Sequence, residues 1–186
     1  MSASKREELV EKALEVFYQQ GFHATGMDKL VAETKISKTS MYKHYKTKED
    51  LILATLKLRD ERFRENFMNR ATALSNSPKQ ELIATFDALA EWFEDKKFKS
   101  CMFIKASSEY QDPDHPIHMV SAEHKKLLHV YMQRLAEKAE LKNPKELASQ
   151  LQLLQEGAIV LAHLHGCEGV AENAKIAAKA LVNAAS

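Results

Sequence analysis

The stretch Thr25–Asp50, TGMDKLVAETKISKTSMYKHYKTKED, decides the fold. Thr25 and Asp28 stand three apart as a cap pair, ahead of Leu30 and Val31 on the apolar face of a helix of about two turns. Lys35-Ile36-Ser37 reads as a turn, with Ser37 as the N-cap of the helix that follows. Thr47 with Asp50 starts a third helix. Lys29, Lys35, Lys38, Lys43, Lys46 and Lys48 face Asp28, Glu33, Glu49 and Asp50, and the lysines thicken toward the second helix, where Tyr42 and Tyr45 interleave with them. A helix-turn-helix needs short polar groups at the N-terminal end of its second helix to reach base edges, flanked by groups that hold phosphates. Ser37, Lys38, Thr39 and Ser40 supply the first, and Tyr42, Lys43, Tyr45, Lys46 and Lys48 the second. The pattern predicts that Ser37–Tyr45 lies in a DNA major groove.

Outward from this segment the chain reads as helices throughout. Ser4 and Glu7 form a capping box ahead of Leu9, Val10, Ala13, Leu14, Val16 and Phe17, and Gly21 ends that first helix. The helix after Thr47 is long, with Leu51, Ile52, Ala54, Thr55, Leu58, Phe63, Phe67 and Ala71 on its apolar side. Ser77-Pro78 opens a helix to about Asp95, a short one is expected within Ser100–Tyr110, and Asp112-Pro113-Asp114-His115-Pro116 breaks the chain before His118–Ala139. Asn143-Pro144 opens another to Gly166, and Gly169–Ala185 is the last. The expectation is an all-α fold of about nine helices. Five glycines and four prolines in 186 residues leave little turn chemistry for strands.

Whole-chain charge carries no information about nucleic acid, because the formal net charge is only +1. Two cysteines are too few for a disulfide framework, which makes a cytoplasmic location the default. No apolar run approaches the ~18 residues of a membrane span, and Met1–Arg6 lacks the apolar segment of a signal peptide, so no membrane partner is expected.

The residues Gly21-Phe22-His23-Ala24-Thr25, then Met27–Ala32, then Ile36-Ser37-Lys38-Thr39-Ser40-Met41-Tyr42-Lys43-His44-Tyr45-Lys46-Thr47-Lys48-Glu49-Asp50-Leu51 resemble the TetR-type (TetR/AcrR) family of one-component transcriptional regulators. The resemblance covers about the first 55 residues. It implies a helix-turn-helix DNA-binding domain over 1–55, with the motif itself at about 26–45, and a helical effector-binding and dimerisation domain over 56–186. Carried over by position, Thr25 caps the second helix near a phosphate, and Lys38, Thr39 and Ser40 face bases. Tyr42, Tyr45, Lys46 and Lys48 grip the backbone, and His44 is left open between groove and fold. Met41 lies between outward-facing pairs and is read as core. Lys35 stands where the family usually has glycine in the turn, Thr39 where many members have glycine, and Tyr45 where many have phenylalanine. A left-handed lysine costs roughly 1 kcal/mol, so either the turn differs slightly or Lys35 accepts the strain.

The resemblance further implies a small-molecule cavity after Pro78. Its candidate lining is Phe86, Trp92, Phe93, Phe103, Tyr110 and Tyr131, with Ser107, His124, Gln155 and His163 as polar groups on otherwise apolar faces. The bland alternative is that these are core. Leu151, Leu154, Gly157, Ala158 and Leu161 form one smooth stripe and Ala174, Ala177, Ala178 and Leu181 another, expected at the interface of a C2 homodimer. His115 and His118 have metal-type spacing but Pro116 lies between them, so no metal and no cofactor are expected. No GxSxG, HExxH, P-loop or GxGxxG occurs, and no enzyme activity is expected. The leading expectation is a repressor that binds a palindromic double-stranded DNA operator as a homodimer and is released by a small molecule. The alternatives are a DNA-binding dimer without an effector, and a small-molecule-binding protein or enzyme with an incidental helix-turn-helix.

Overall fold

A computed structural model describes residues 4–186. Among these residues there are nine α-helices and no strand: α1 Lys5–Gln20, α2 Met27–Thr34, α3 Lys38–His44, α4 Lys48–Ala73, α5 Pro78–Glu94, α6 Met102–Glu109, α7 Pro116–Lys138, α8 Pro144–His165 and α9 Val170–Ala184.

Most ends follow local chemistry. Ser4 and Glu7 make the reciprocal capping box of α1, and Gly21 ends it at φ 82°, in the region that favours glycine. Ser37 accepts the Ser40 N–H at the start of α3, Ser77 accepts the Gln80 N–H at the start of α5, and Thr47 and Asp50 cap α4 reciprocally. Lys35 takes the left-handed conformation, φ 60° and ψ 23°, so the lysine adopts the glycine-like turn. The start of α2 differs from expectation. Its N-cap is Gly26, without a side-chain cap. Thr25 is buried and its hydroxyl donates to the Gly21 carbonyl at 2.7 Å. The hydroxyl therefore closes the preceding loop instead of capping the next helix.

The chain divides into two compact units. The first comprises residues up to Arg62 with Cys101–His124, and the second Phe63–Ser100 with Lys125–Ser186. The division cuts α4 after Arg62 and α7 after His124, and it gives α6 to the same unit as the helix-turn-helix. A boundary at residue 55 does not anticipate this, because α6 begins only at Met102.

In the first unit Leu9, Ala13 and Phe17 recur at one helical turn along α1 and are fully buried, with Phe22, Leu30, Met41, Leu51, Ile52 and Leu56. Phe17 and Phe22 meet ring to ring at 5.5 Å. In the second unit Leu82, Phe86, Met132, Leu135, Leu147, Leu151, Ala178 and Val182 form one core cluster. Trp92 lies edge-on to Phe63 at 4.9 Å and to Phe98 at 5.0 Å.

This core corrects the expected dimer stripe. Leu151, Ala158 and Ala178 are buried inside the single chain, and Leu154, Ala174 and Leu181 pack against its core. The helix α8 carries apolar residues around most of its circumference, so spacing alone does not select which stripe faces inward. Its exposed apolar residues are Leu153, Val160, Leu161 and Leu164, with Gly157 on the same side, and Ile176 is exposed on α9.

Two substitutions test this packing by urea denaturation. Leu151→Ala lowers unfolding free energy by about 2–5 kcal/mol, through lost burial and a residual cavity. Lys35→Gly raises it by up to about 1 kcal/mol, because glycine adopts the left-handed turn without a Cβ penalty.

Candidate nucleic-acid interface

The turn between α2 and α3 is pinned from three sides. The Thr34 side chain is buried, donates to the Leu30 carbonyl at 2.7 Å and accepts the Ile36 N–H at 3.2 Å. The Lys12 ammonium of α1 donates to the Thr34 carbonyl at 3.1 Å. The Lys35 N–H closes α2 onto the Val31 carbonyl. These bonds satisfy the Val31 and Thr34 carbonyls at the C-terminal end of a helix only eight residues long, and they set the direction in which α3 departs.

α3 buries Met41 alone among its own residues, as its inward position requires. Lys38, Thr39, Tyr42, Lys43 and, just beyond the helix, Lys46 are exposed, and Ser40 and His44 are half-buried. Tyr42 is 45% exposed, which is high for an aromatic side chain in a packed domain. Ser37 is exposed, with its hydroxyl engaged as the N-cap. Lys38 pairs with Asp28 of α2 at 3.2 Å, but the aspartate side chain is 93% exposed. Such a pair is weak and screened by salt, so its lysine can exchange the carboxylate for a phosphate or a base.

Three expected phosphate contacts are engaged in the fold instead. Tyr45 is only 8% exposed and belongs to the core, where its hydroxyl accepts the Arg6 Nε–H at 3.2 Å and the Arg6 guanidinium lies 5.4 Å from the ring centroid. A seven-residue helix spans two turns, too few for periodicity to separate Tyr42 from Tyr45. Thr25 is buried as described. Lys48 is half-buried and donates to the Phe22 carbonyl at 3.0 Å, so it braces the loop between α1 and α2.

Three further groups join the surface without having been singled out as contacts. Lys29 and Lys35 are exposed on α2 and its turn. Gly26 is exposed, and a Cβ there would meet nothing within 4 Å. The α2 amides therefore begin without a side-chain cap, and an uncapped helix start suits an anionic oxygen. The glycine itself was the available signal.

The expected ligand contacts divide between the two units. In the first, Phe103 stacks on the His124 ring at 3.7 Å, and the buried His124 Nδ1 lies 2.6 Å from Asp60 Oδ1. Ser107 donates its hydroxyl to the Ile104 carbonyl. Tyr110 is buried beside the rings of His23 and His115, and burial, with the charges of Glu49 and Glu109, pushes its phenol up to about 12. In the second unit, Phe86 and Phe93 are core, and Gln155 donates to the Thr85 hydroxyl at 2.9 Å in the buried interior. Tyr131 donates to Glu81 at 2.6 Å, and its phenol is raised by burial and then by that contact. His163 is exposed. A cleft of about 440 Å³ in this unit is lined by Phe86, Asp87, Glu94, Cys167, Glu172 and Lys175 among others, and Phe86 is the one expected ligand contact that reaches it. Trp92 belongs to the aromatic cluster instead.

The local uses of two histidines are also visible. His115 Nδ1 accepts the Ile117 N–H at 3.2 Å, and His118 Nδ1 lies 2.9 Å from the Tyr110 carbonyl. Among the described residues no three His, Cys, Asp or Glu side chains gather as a metal site, and no helix is long and apolar enough to cross a membrane.

Comparison with known proteins agrees with this geometry. Residues 9–55 match the family described as bacterial regulatory proteins, tetR family. The HTH-type transcriptional regulator YjdC of Escherichia coli is 25% identical over 158 residues, 83% of this chain and 81% of that protein. The HTH-type transcriptional activator FasR of Mycolicibacterium smegmatis is 31% identical over 93 residues, 48% of this chain and 41% of that one. The crystal structure of SCO4454, a TetR-family transcriptional regulator from Streptomyces coelicolor, superposes with a TM-score of 0.90 at 25% identity, covering 97% of this chain and 89% of that one.

The two tyrosines separate surface chemistry from folding. Tyr42→Ala leaves the urea midpoint essentially unchanged and weakens DNA binding, read by fluorescence anisotropy. Tyr45→Ala removes a buried ring and costs roughly 3 kcal/mol of stability.

Proposed function

We propose that the chain is a transcriptional regulator of the TetR type, the family its residues 9–55 match, and that it binds a palindromic operator as a C2 homodimer, represses transcription there, and is released by a small molecule. The observation that carries this reading is the composition of α3's outer side. Lys38, Thr39, Tyr42 and Lys43 are exposed around a buried Met41, on a helix whose entry is fixed by the Ser37 cap and the Thr34 turn. Thr39 and Ser40 are short enough to approach base edges, while Tyr42, Lys43 and Lys46 hold phosphates. Lys29, Lys35 and the α2 amides behind Gly26 extend the phosphate grip.

One seven-residue helix reads too few base pairs for selectivity, so a partner copy is needed about 34 Å away along the duplex. The exposed stripe of Leu153, Gly157, Val160, Leu161 and Leu164 on α8, with Ile176 on α9, supports a helix-helix dimer. Its residues recur at helical spacing, and glycine in the middle permits close approach of axes. An apolar face of this extent is costly to leave in water.

Release by a ligand is a population shift, and a coupling of a few kcal/mol between effector and operator suffices. The helices α4 and α7 both contribute residues to both compact units, and α4, which follows the helix-turn-helix directly, is the element through which such a coupling would pass. The protein would act in the cytoplasm, on promoter DNA.

A mobility shift on the promoter region beside its own gene, repeated over a salt series, tests the reading. Binding should weaken steeply with salt. Lys46→Ala should lower affinity for all sequences alike and flatten the salt dependence, whereas Thr39→Ala should change base preference. No specific shift at any salt concentration would remove the proposal. Leu164→Glu, an exposed position in the single chain, should convert the dimer to a monomer in sedimentation and abolish the specific shift without loss of helical signal.

A further inference from the structure

The loop between α1 and α2 is held by a residue from a distant part of the chain. Glu109, the last residue of α6, directs its carboxylate at two consecutive backbone amides. The Phe22 N–H donates to Oε1 at 3.0 Å and to Oε2 at 3.2 Å, and the His23 N–H donates to Oε2. Successive amides converging on one anion form a nest, and charge-assisted bonds of this kind are stronger than neutral ones. The His23 imidazole lies 3.7 Å from the same oxygen. From the other side, Lys48 at the start of α4 donates to the Phe22 carbonyl at 3.0 Å, and the Thr25 N–H reaches that carbonyl at 3.3 Å. A single peptide is thus gripped at its N–H by α6 and at its C=O by α4. Gly21 is fitted to the arrangement twice over: its φ is +82°, and a Cβ there would come within 3.1 Å of Glu109 Oε1.

We propose that Glu109 is the positioning residue by which α6 sets the DNA affinity of the helix-turn-helix, through the Phe22–His23 amides and the loop that leads into α2. This rests on the DNA-binding reading above and assigns its regulation to a specific contact. The loop ends at Gly26, where no side chain caps the exposed start of α2. A loop held in place presents those amides and α3 in one orientation, so binding loses less order than with a loose loop. A carboxylate clamp is also steep in distance. A shift of α6 away from the loop by about 1 Å takes both Phe22 bonds beyond hydrogen-bond range and stretches the His23 bond to its limit, so a small displacement of this helix, whatever produces it, loosens the loop.

The test uses the full-length chain and a duplex that the wild-type protein selects from a random-sequence pool. Glu109→Ala removes both acceptor oxygens, and Glu109→Gln keeps one neutral acceptor of nearly the same shape. Operator affinity, amide hydrogen exchange at Phe22 and His23, and the urea midpoint are measured for each. The expected result is a loss of affinity of about tenfold for Glu109→Ala, a smaller loss for Glu109→Gln, and exchange at Phe22 and His23 accelerated in the same order. The amides of the α1 core should stay protected. The graded rescue by glutamine and the localised exchange distinguish positioning from general destabilisation, which would expose α1 as well. Unchanged or tighter DNA binding by both variants, or exchange accelerated throughout α1, overturns the inference while leaving the proposed function standing. A wild-type chain that enriches no duplex overturns both. If Glu109→Ala does not fold, the glutamine variant decides alone.

Discussion

Phe22 is the residue on which the N-terminal unit turns. Its ring is fully buried and meets Phe17 of α1, while its amide and carbonyl are held by Glu109 and Lys48. Hydrophobic burial fixes where the loop sits, and the hydrogen bonds fix which way it faces. Neither suffices alone. A buried ring without amide partners leaves two backbone donors at the edge of an apolar core, which is costly. A clamp without the ring has nothing to hold the loop against thermal fraying. With both, the path from α1 to α2 is determined, and the Thr34 turn carries that determination into α3.

The second unit faces a different requirement. A helix that contributes to a core and also to an association surface must be apolar on two sides. α8 meets it by giving Leu151, Ala158 and Ala162 to the chain's own interior while Leu153, Val160, Leu161 and Leu164 remain outside. Gln155 lies in the interior set, and its amide is satisfied by Thr85, whose own hydroxyl donates to the Leu82 carbonyl. A polar pair buried between two helices costs more when misaligned than an apolar pair. It favours one register of α8 on α5, and the outward stripe is specified by the same register.

How much of this was legible in the sequence follows from the range of each interaction. The caps at Ser4, Ser37, Thr47 and Ser77 and the glycine at position 21 depend on residues within a few positions and are readable, whereas the left-handed Lys35 is one of two turn geometries the sequence leaves open. The nine helices and the inward Met41 are readable as well. Thr25 differs from expectation because its hydroxyl has two kinds of partner in sequence reach, the N–H donors of α2 ahead and the Gly21 carbonyl behind, and it donates to the carbonyl. Tyr45 was misread because its partner is Arg6, thirty-nine residues away, and a two-turn helix has no periodic signal strong enough to place one aromatic residue. The expected α8 stripe mixed inward residues, Leu151 and Ala158, with outward ones, Gly157 and Leu161, because both sides of the helix are apolar. The Glu109 clamp spans eighty-seven positions, and nothing in the local sequence of α6 marks it.

The same distinction bears on regulation. Residues that make the helix-turn-helix a stable object are local, and ordinary propensities suffice to build it. What governs how firmly it is oriented comes from elsewhere in the chain: Glu109 from α6, Lys48 from α4 and Lys12 from α1. A reader of DNA built this way has a robust fold and an adjustable grip. Affinity can change by the making or breaking of a few hydrogen bonds, far less energy than unfolding requires. A binding unit with only a two-turn recognition helix benefits in particular, because each copy contributes few contacts. In the proposed homodimer a modest loss of order in both copies would act twice on the same complex, and the effect on occupancy would be the product of the two.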